Sequence, residues 1–246
     1  MRSLFPKAIF LDMDDTILAD SVHTPTCLQT MCERYAPAAR ASVQDLRAAM
    51  EHASDWYWGD RDRHRTGRLD LDRARVEVAI LALRELEIED GALAAAMAGE
   101  HAALRDAMLC PFPGALETLH ELRERGVAMA LLTNGHSSKQ RTKIGRFGLA
   151  EFFATIVVES EFGQGKPDER VYKHALAQLG AAPPETWMVG DNLEWDVAAP
   201  MRLGITGIWL DHEKRGLPNN CPIRPDRTIH ALPELFGDGP ASVRSE

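Results

Sequence analysis

Asp12, Asp14 and Asp15, with Thr16 beside them, close the short apolar run Ala8-Ile9-Phe10-Leu11. Three acids this close repel one another unless a cation neutralises them. Hard carboxylate and carbonyl oxygens suit Mg²⁺, which is commonly held by one or two carboxylates with water and substrate phosphate oxygens. On an ideal strand, residues two apart share a face, so Asp12 and Asp14 would point the same way; a bend after Leu11 would turn them to different tasks.

Other polar groups follow apolar runs in the same manner. Thr133, Asn134 and Gly135 end the run 127–132, and Asp191, Asn192 and Asp196 follow the run 187–189. Lys166 stands in the loop 163–168, after an apolar run at 155–158. Phosphoryl transfer needs a nucleophile, a proton carrier for the leaving oxygen, a cation and donors for the equatorial oxygens. This set contains one of each.

These runs are the strands that must position the chemistry. Short apolar segments at 8–11, 127–132, 155–158, 187–189 and 205–210, with a short sixth near 228–231, alternate with helical patterns, which predicts a parallel sheet with right-handed crossovers. Ligands bind beyond the carboxyl ends of such strands. The helices between them carry ordinary signals: Leu116, Leu119 and Leu122 line one face before Gly126, a helix is expected at 141–147, and Asp168 is placed to cap a helix running to Gly180. Pro200 clashes with the carbonyl four residues back, so the helix after Asp191 should be kinked or very short.

Between the first and second strands the pattern changes. Val76, Ile80, Leu83 and Leu86, then Leu93, Met97, His101 and Leu104, recur at helical spacing. Residues 19–109 therefore read as an inserted helical domain, with 1–18 and 110–246 forming the α/β core. Within the insert, 60–68 reads as a charged loop. Trp56, Tyr57 and Trp58 could stack on a base or sugar, or serve as core; Arg61, Arg63, His64 and Arg65 could meet a second anion, or form a solvated face. His136 and Lys139 lie close in sequence to Asn134.

Composition narrows the partners. The 246 residues carry a formal charge of −9 with 45% hydrophobic and 26% charged residues. That is a globular balance, and the negative charge argues against nucleic acid, whose phosphates demand Lys and Arg. Cys27, Cys32, Cys110 and Cys221 are scattered, with neither a zinc-site spacing nor a disulfide framework. The apolar pieces near the N-terminus are too short for a signal-peptide core, and no segment has the length of a membrane span. A cytoplasmic protein without membrane partners is the expectation; oligomeric state stays open.

The four pieces Asp12-Met13-Asp14-Asp15-Thr16, Leu132-Thr133-Asn134-Gly135, Gly165-Lys166-Pro167-Asp168 and Gly190-Asp191-Asn192 with Asp196, in this order, resemble the haloacid dehalogenase superfamily of hydrolases. The resemblance implies a Rossmann-like core with a helical cap that closes over substrate. It implies that Asp12 attacks phosphorus to form an aspartyl-phosphate, that Asp14 protonates the leaving alcohol and then deprotonates water, and that Lys166 neutralises charge. It further implies Mg²⁺ on the Asp12 and Asp191 side chains and the Asp14 carbonyl, with phosphoryl oxygens held by Thr133, the Asn134 amide and Lys166. Thr16, Gly135, Asn192 and Asp196 support these; Thr16 is expected to steady the turn presenting Asp14, and Asp196 to support the metal shell or Lys166. An acid at Asp14 marks an alcohol rather than a halide leaving group. The implied activity is hydrolysis of a small phosphate monoester of the nucleotide or sugar phosphate class. The rival readings are a phosphomutase of the same superfamily and a non-catalytic binding protein on this fold.

Overall fold

The structure is a computed structural model that describes residues 5–237. The chain divides into two compact units, one formed by the chain up to Ala19 and from Cys110 onward, the other spanning Asp20–Leu109. Strand β1 (Ala8–Leu11) opens the first unit. It is buried on both faces, as a central strand of a parallel sheet must be, and this accounts for its unbroken apolar sequence.

The second unit is wholly helical among the elements it contains: α1 (Thr24–Ala39), α2 (Val43–Gly59), α3 (Arg61–Gly67), α4 (Leu71–Glu85) and α5 (Gly91–Met108). The starts of α2 to α5 are written in side-chain caps, whereas α1 has none and carries Pro25 in its first turn. Ser42, Asp60, Asp70 and Asp90 each accept hydrogen bonds from backbone amides of the first turn. The core of this unit joins Leu46, Met50 and Tyr57 to Val78, Leu83 and Met97, with alanines such as Ala53, Ala79 and Ala94 letting the helices approach closely.

The stretch expected as a charged loop is helix α3. Asp60 caps it by accepting from the Asp62 and Arg63 amides, which is enough to start a helix that has no apolar periodicity to reveal it. The aromatic triplet splits. Tyr57 is buried and packs edge-on against Trp58 at 4.9 Å, while Trp56 is 56% exposed under the Arg63 guanidinium. Arg61 and Arg65 are exposed.

The first unit continues with α6 (Ala115–Glu124), β2 (Ala128–Thr133), α7 (Ser137–Arg146), β3 (Thr155–Val158), α8 (Glu159–Phe162), α9 (Glu169–Leu179), β4 (Thr186–Gly190), α10 (Ala199–Met201), β5 (Thr206–Leu210) and β6 (Arg227–Ile229). The six strands form one parallel sheet in the order β3-β2-β1-β4-β5-β6. One face packs Phe10, Leu132 and Met188 against Val171, Tyr172 and Ala175 of α9. The chain lays β1, β2 and β3 to one side and then returns to build β4, β5 and β6 on the other, so the topological switch point lies at β1, where ligands bind in such sheets.

Pro200 leaves its mark. Instead of a regular helix after Asp191, residues Leu193–Ala198 form a π-helical turn, with the Ala199 amide donating to the Glu194 carbonyl, followed by the three-residue α10. Helix α7 begins at Ser137, four residues before its expected start, because its first turn is polar and is capped by the His136 side chain.

In the helical unit, His101 is half-buried and its Nε2 has no hydrogen-bond partner. Desolvation, with Arg105 and Arg75 nearby, lowers its pKa to about 4. A folded pKa below the ordinary value of 6.5 means that the contribution to stability is present above pH 6.5 and is lost as pH falls through 4. An NMR titration of the His101 ring should give a midpoint near 4, whereas a midpoint near 6.5 would contradict this account.

Candidate active site

Asp12 follows β1, Thr133 ends β2 and Asp191 follows β4, so three adjacent strands deliver their polar ends to one edge of the sheet. The bend after β1 is built from backbone hydrogen bonds: the Ile17 and Leu18 amides donate to the Met13 carbonyl, and Asp15, with φ at 57°, donates to Leu18. This turn sends Asp12 and Asp14 to different partners.

Lys166, in the loop between α8 and α9, is 1% exposed and its Nζ bridges two carboxylates. It donates to Asp12 Oδ1 at 2.6 Å and to Asp196 Oδ1 at 2.7 Å. The second oxygen of Asp12 accepts from Thr16 Oγ1 at 3.2 Å, and that of Asp196 accepts from the Asn192 amide at 3.1 Å. The Thr16 hydroxyl therefore reaches Asp12 itself, while its amide donates to the Met13 carbonyl within the turn. Asp196 is a partner of Lys166.

Asn192 caps the π-helical turn by accepting from the Glu194 and Trp195 amides. Gly190 makes the Asp196 placement feasible, because a Cβ there would lie 2.3 Å from the Asp196 carboxylate.

Asn134 ties the second strand end to the lysine loop. Its side chain donates to the Lys166 carbonyl and accepts from the Lys166 amide, both at 2.8 Å. Glu159, buried beside it, accepts from the Gly135 amide at 2.8 Å. Gly165 admits both groups, since a Cβ there would lie 2.5 Å from Glu159 and 2.7 Å from Asn134. The clasp uses one donor and one acceptor position of the Asn134 side chain.

Asp14 lies apart from the Lys166 bridge. Gln140 Nε2 donates to Asp14 Oδ2 at 2.8 Å, and Lys143 Nζ donates to Asp14 Oδ1 at 2.7 Å. Gln140 also reaches Thr133 Oγ1 at 2.6 Å and the Asn134 carbonyl at 2.9 Å. Neither residue was among those singled out from sequence, where attention fell on His136 and Lys139, both exposed. Helical spacing puts residues 140 and 143 on one face of α7 but does not set them apart from 136 and 139, which fall at the same spacing.

The electrostatics are those of crowded buried acids. Burial raises the Asp12 carboxyl to about 6, with Lys166 pulling it down and Asp196 pushing it up. Asp191 is raised to about 9 by burial, then by Asp12, Asp196 and Asp15. Burial likewise raises Asp196 against the pull of Lys166. Burial disfavours the Lys166 ammonium, yet Asp12 and Asp196 hold its pKa above the ordinary lysine value.

Oxygens of Asp12, Asp191 and Asp196 all lie within 4.8 Å of one another. A hard divalent cation suits this set, supplying the positive charge that one lysine leaves short.

A parallel doubly wound sheet with an acid pair after its first strand, a hydroxyl after its second, a buried lysine beyond its third and acids after its fourth defines a class of hydrolase. The comparisons place the chain within it: residues 6–204 match the family model described as haloacid dehalogenase-like hydrolase, and the chain belongs to that family.

A phosphoserine phosphatase of Thermus thermophilus is 33% identical, over 94% of this chain and 98% of its own. A pyrimidine 5′-nucleotidase of Escherichia coli is 30% identical, over 92% and 95%. Among solved structures, a HAD-type hydrolase of Bacillus subtilis bound to magnesium superposes with a TM-score of 0.72 at 20% identity, covering 94% of this chain and 97% of that one. The last likeness concerns the fold.

Replacing Lys166 by Met would leave Asp12 and Asp196 buried without their shared cation. Breaking a buried pair in this way costs about 3–5 kcal/mol. Urea denaturation near neutral pH without added divalent cation should show that loss, and a change below about 1 kcal/mol would contradict the bridge.

Proposed function

We propose that this chain is a Mg²⁺-dependent phosphatase that hydrolyses a small phosphate monoester through an aspartyl-phosphate at Asp12. The observation that carries the reading is the separation of two acids two residues apart: Asp12 is held by Lys166 and Asp14 by Gln140 and Lys143. One is fixed as a nucleophile beside a permanent cation, and the other is kept as a proton carrier. A halide leaving group would have no use for the second.

An Asp12 oxygen attacks phosphorus while the bond from phosphorus to the ester oxygen breaks, and the departing oxygen takes its electron pair together with the proton from Asp14. Lys166 lies within hydrogen-bond distance of the attacking carboxylate and offsets the charge that gathers there. Thr133 and the Asn134 amide hold the equatorial oxygens. Asp14 then takes a proton from water as its oxygen attacks phosphorus, the Asp12–phosphorus bond breaks, and the carboxylate is restored.

The Asp12 and Asp191 side chains with the Asp14 carbonyl would hold Mg²⁺. When bound, it supplies Lewis-acid stabilisation of phosphoryl oxygens and neutralises the acids. Its support is the cluster of carboxylate oxygens from Asp12 and Asp191, with Asp196 beside them, and the raised carboxyls of Asp12 and Asp191.

Relatives named for phosphoserine, pyrimidine nucleotides and glyceraldehyde 3-phosphate share one feature, a small phosphate monoester, and that is the substrate class proposed. Residues 19–109 are proposed as the cap that selects among such esters and excludes water. Among the described residues no helix is long and apolar enough to cross a membrane.

A phosphate-release screen over metabolite monoesters, run with Mg²⁺ and with chelator, tests the reading. Wild type should release phosphate only with the metal, and Asp12→Asn should lower kcat by ~10⁴-fold. Equal release by wild type and Asp12→Asn, or full activity in chelator, would refute it.

A further inference from the structure

Helix α7 contributes two side chains that lie outside the four motif pieces. Gln140 is 3% exposed, and its Nε2 faces a carboxylate oxygen, a backbone carbonyl and a hydroxyl oxygen. All three can accept, and the amide presents its NH₂ to them; the opposite orientation would set its oxygen against the Asn134 carbonyl, which never carries a proton. The two NH₂ hydrogens are shared among these three acceptors, and the Thr133 hydroxyl itself faces the Asn134 carbonyl at 3.5 Å. Lys143, one turn further along the same face, binds the other Asp14 oxygen.

We infer that Gln140 and Lys143 are positioning residues, which fix the Asp14 carboxyl and the Thr133 hydroxyl in one geometry so that the leaving oxygen and the transferring phosphoryl group are met together. The inference rests on the proposed phosphatase reading.

The geometry has a chemical logic. Each carboxylate oxygen has two lone-pair directions. Gln140 occupies one on Oδ2 and Lys143 one on Oδ1, which holds the Asp14 carboxyl against rotation about its χ2. Each donor removed loosens the carboxyl, and small misplacement of an acid is costly to proton transfer. The same Gln140 amide reaches the Asn134 carbonyl, so the strand end that carries the phosphate-binding hydroxyl and the turn that carries the acid are set from one atom.

The experiment is a comparison of kcat/KM for p-nitrophenyl phosphate and phenyl phosphate, two esters of similar shape whose leaving groups differ in their need for a proton. It is made with wild type, Gln140→Ala, Gln140→Glu and Lys143→Met, with thermal midpoints recorded for each. General acid catalysis contributes ~10²–10⁴-fold. The variants should therefore lose roughly tenfold or more on phenyl phosphate beyond their loss on p-nitrophenyl phosphate.

Lys143→Met, on a less buried side chain, should show the split without a large fall in thermal midpoint. In an Asp14→Asn background, Lys143→Met should cost nothing further. Gln140→Glu, which places an acceptor before acceptors, should not rescue Gln140→Ala.

Equal losses on the two esters, no loss, or a full additional loss in the Asp14→Asn background would overturn the positioning role. Absence of phosphate release from both esters by wild type would instead overturn the phosphatase reading on which it rests.

Discussion

The buried ammonium of Lys166 between Asp12 and Asp196 is the interaction on which the site depends. Burying one lysine with two carboxylates is unfavourable unless each charge finds its partner, because desolvation of an ion costs several kcal/mol. Here every participating oxygen has one: Lys166 takes one from each acid, Thr16 the second of Asp12, and the Asn192 amide the second of Asp196. The arrangement joins three segments far apart in sequence and leaves Asp191 crowded by like charges, which is where a cation would bring most relief.

The sheet supplies the convergence. Parallel strands end on one edge, and the reversal of strand order at β1 opens a crevice there. Close backbone approach then does the fine placement. Gly190 makes room for Asp196, and Gly165 makes room for Glu159 and Asn134. Two layers of support result: the Asn134 and Glu159 clasp fixes the lysine loop against β2, and Gln140 with Lys143 fixes Asp14 against α7. Hydrogen-bonded supports of this kind are what hold a catalytic geometry to within fractions of an ångström.

Much of this was legible because it is written in local pattern. Ala8–Leu11 and Thr155–Val158 are uninterrupted apolar runs with polar ends, and they are the observed strands. Asp168 and Gly180 bound α9 as their chemistry dictates. Pro200 announced an irregular helix, though not that the irregularity is a π-turn. What failed to show was structure held by side-chain caps without apolar periodicity, as in α3 and the first turn of α7. The second blind spot was three-dimensional. Gln140 and Lys143 lie 126 and 129 residues from Asp14, and nothing in their own neighbourhood distinguishes them from exposed His136 and Lys139.

The central claim is that Asp12 becomes covalently phosphorylated. Rapid acid quench of the enzyme with an ester that it hydrolyses, followed by borohydride reduction and peptide mass spectrometry, tests this directly. The account predicts conversion of the Asp12 side chain to an alcohol only in the presence of substrate and divalent cation. Turnover with an unmodified Asp12 at every quench time, or modification at Asp14 or Asp191 in its place, would contradict it.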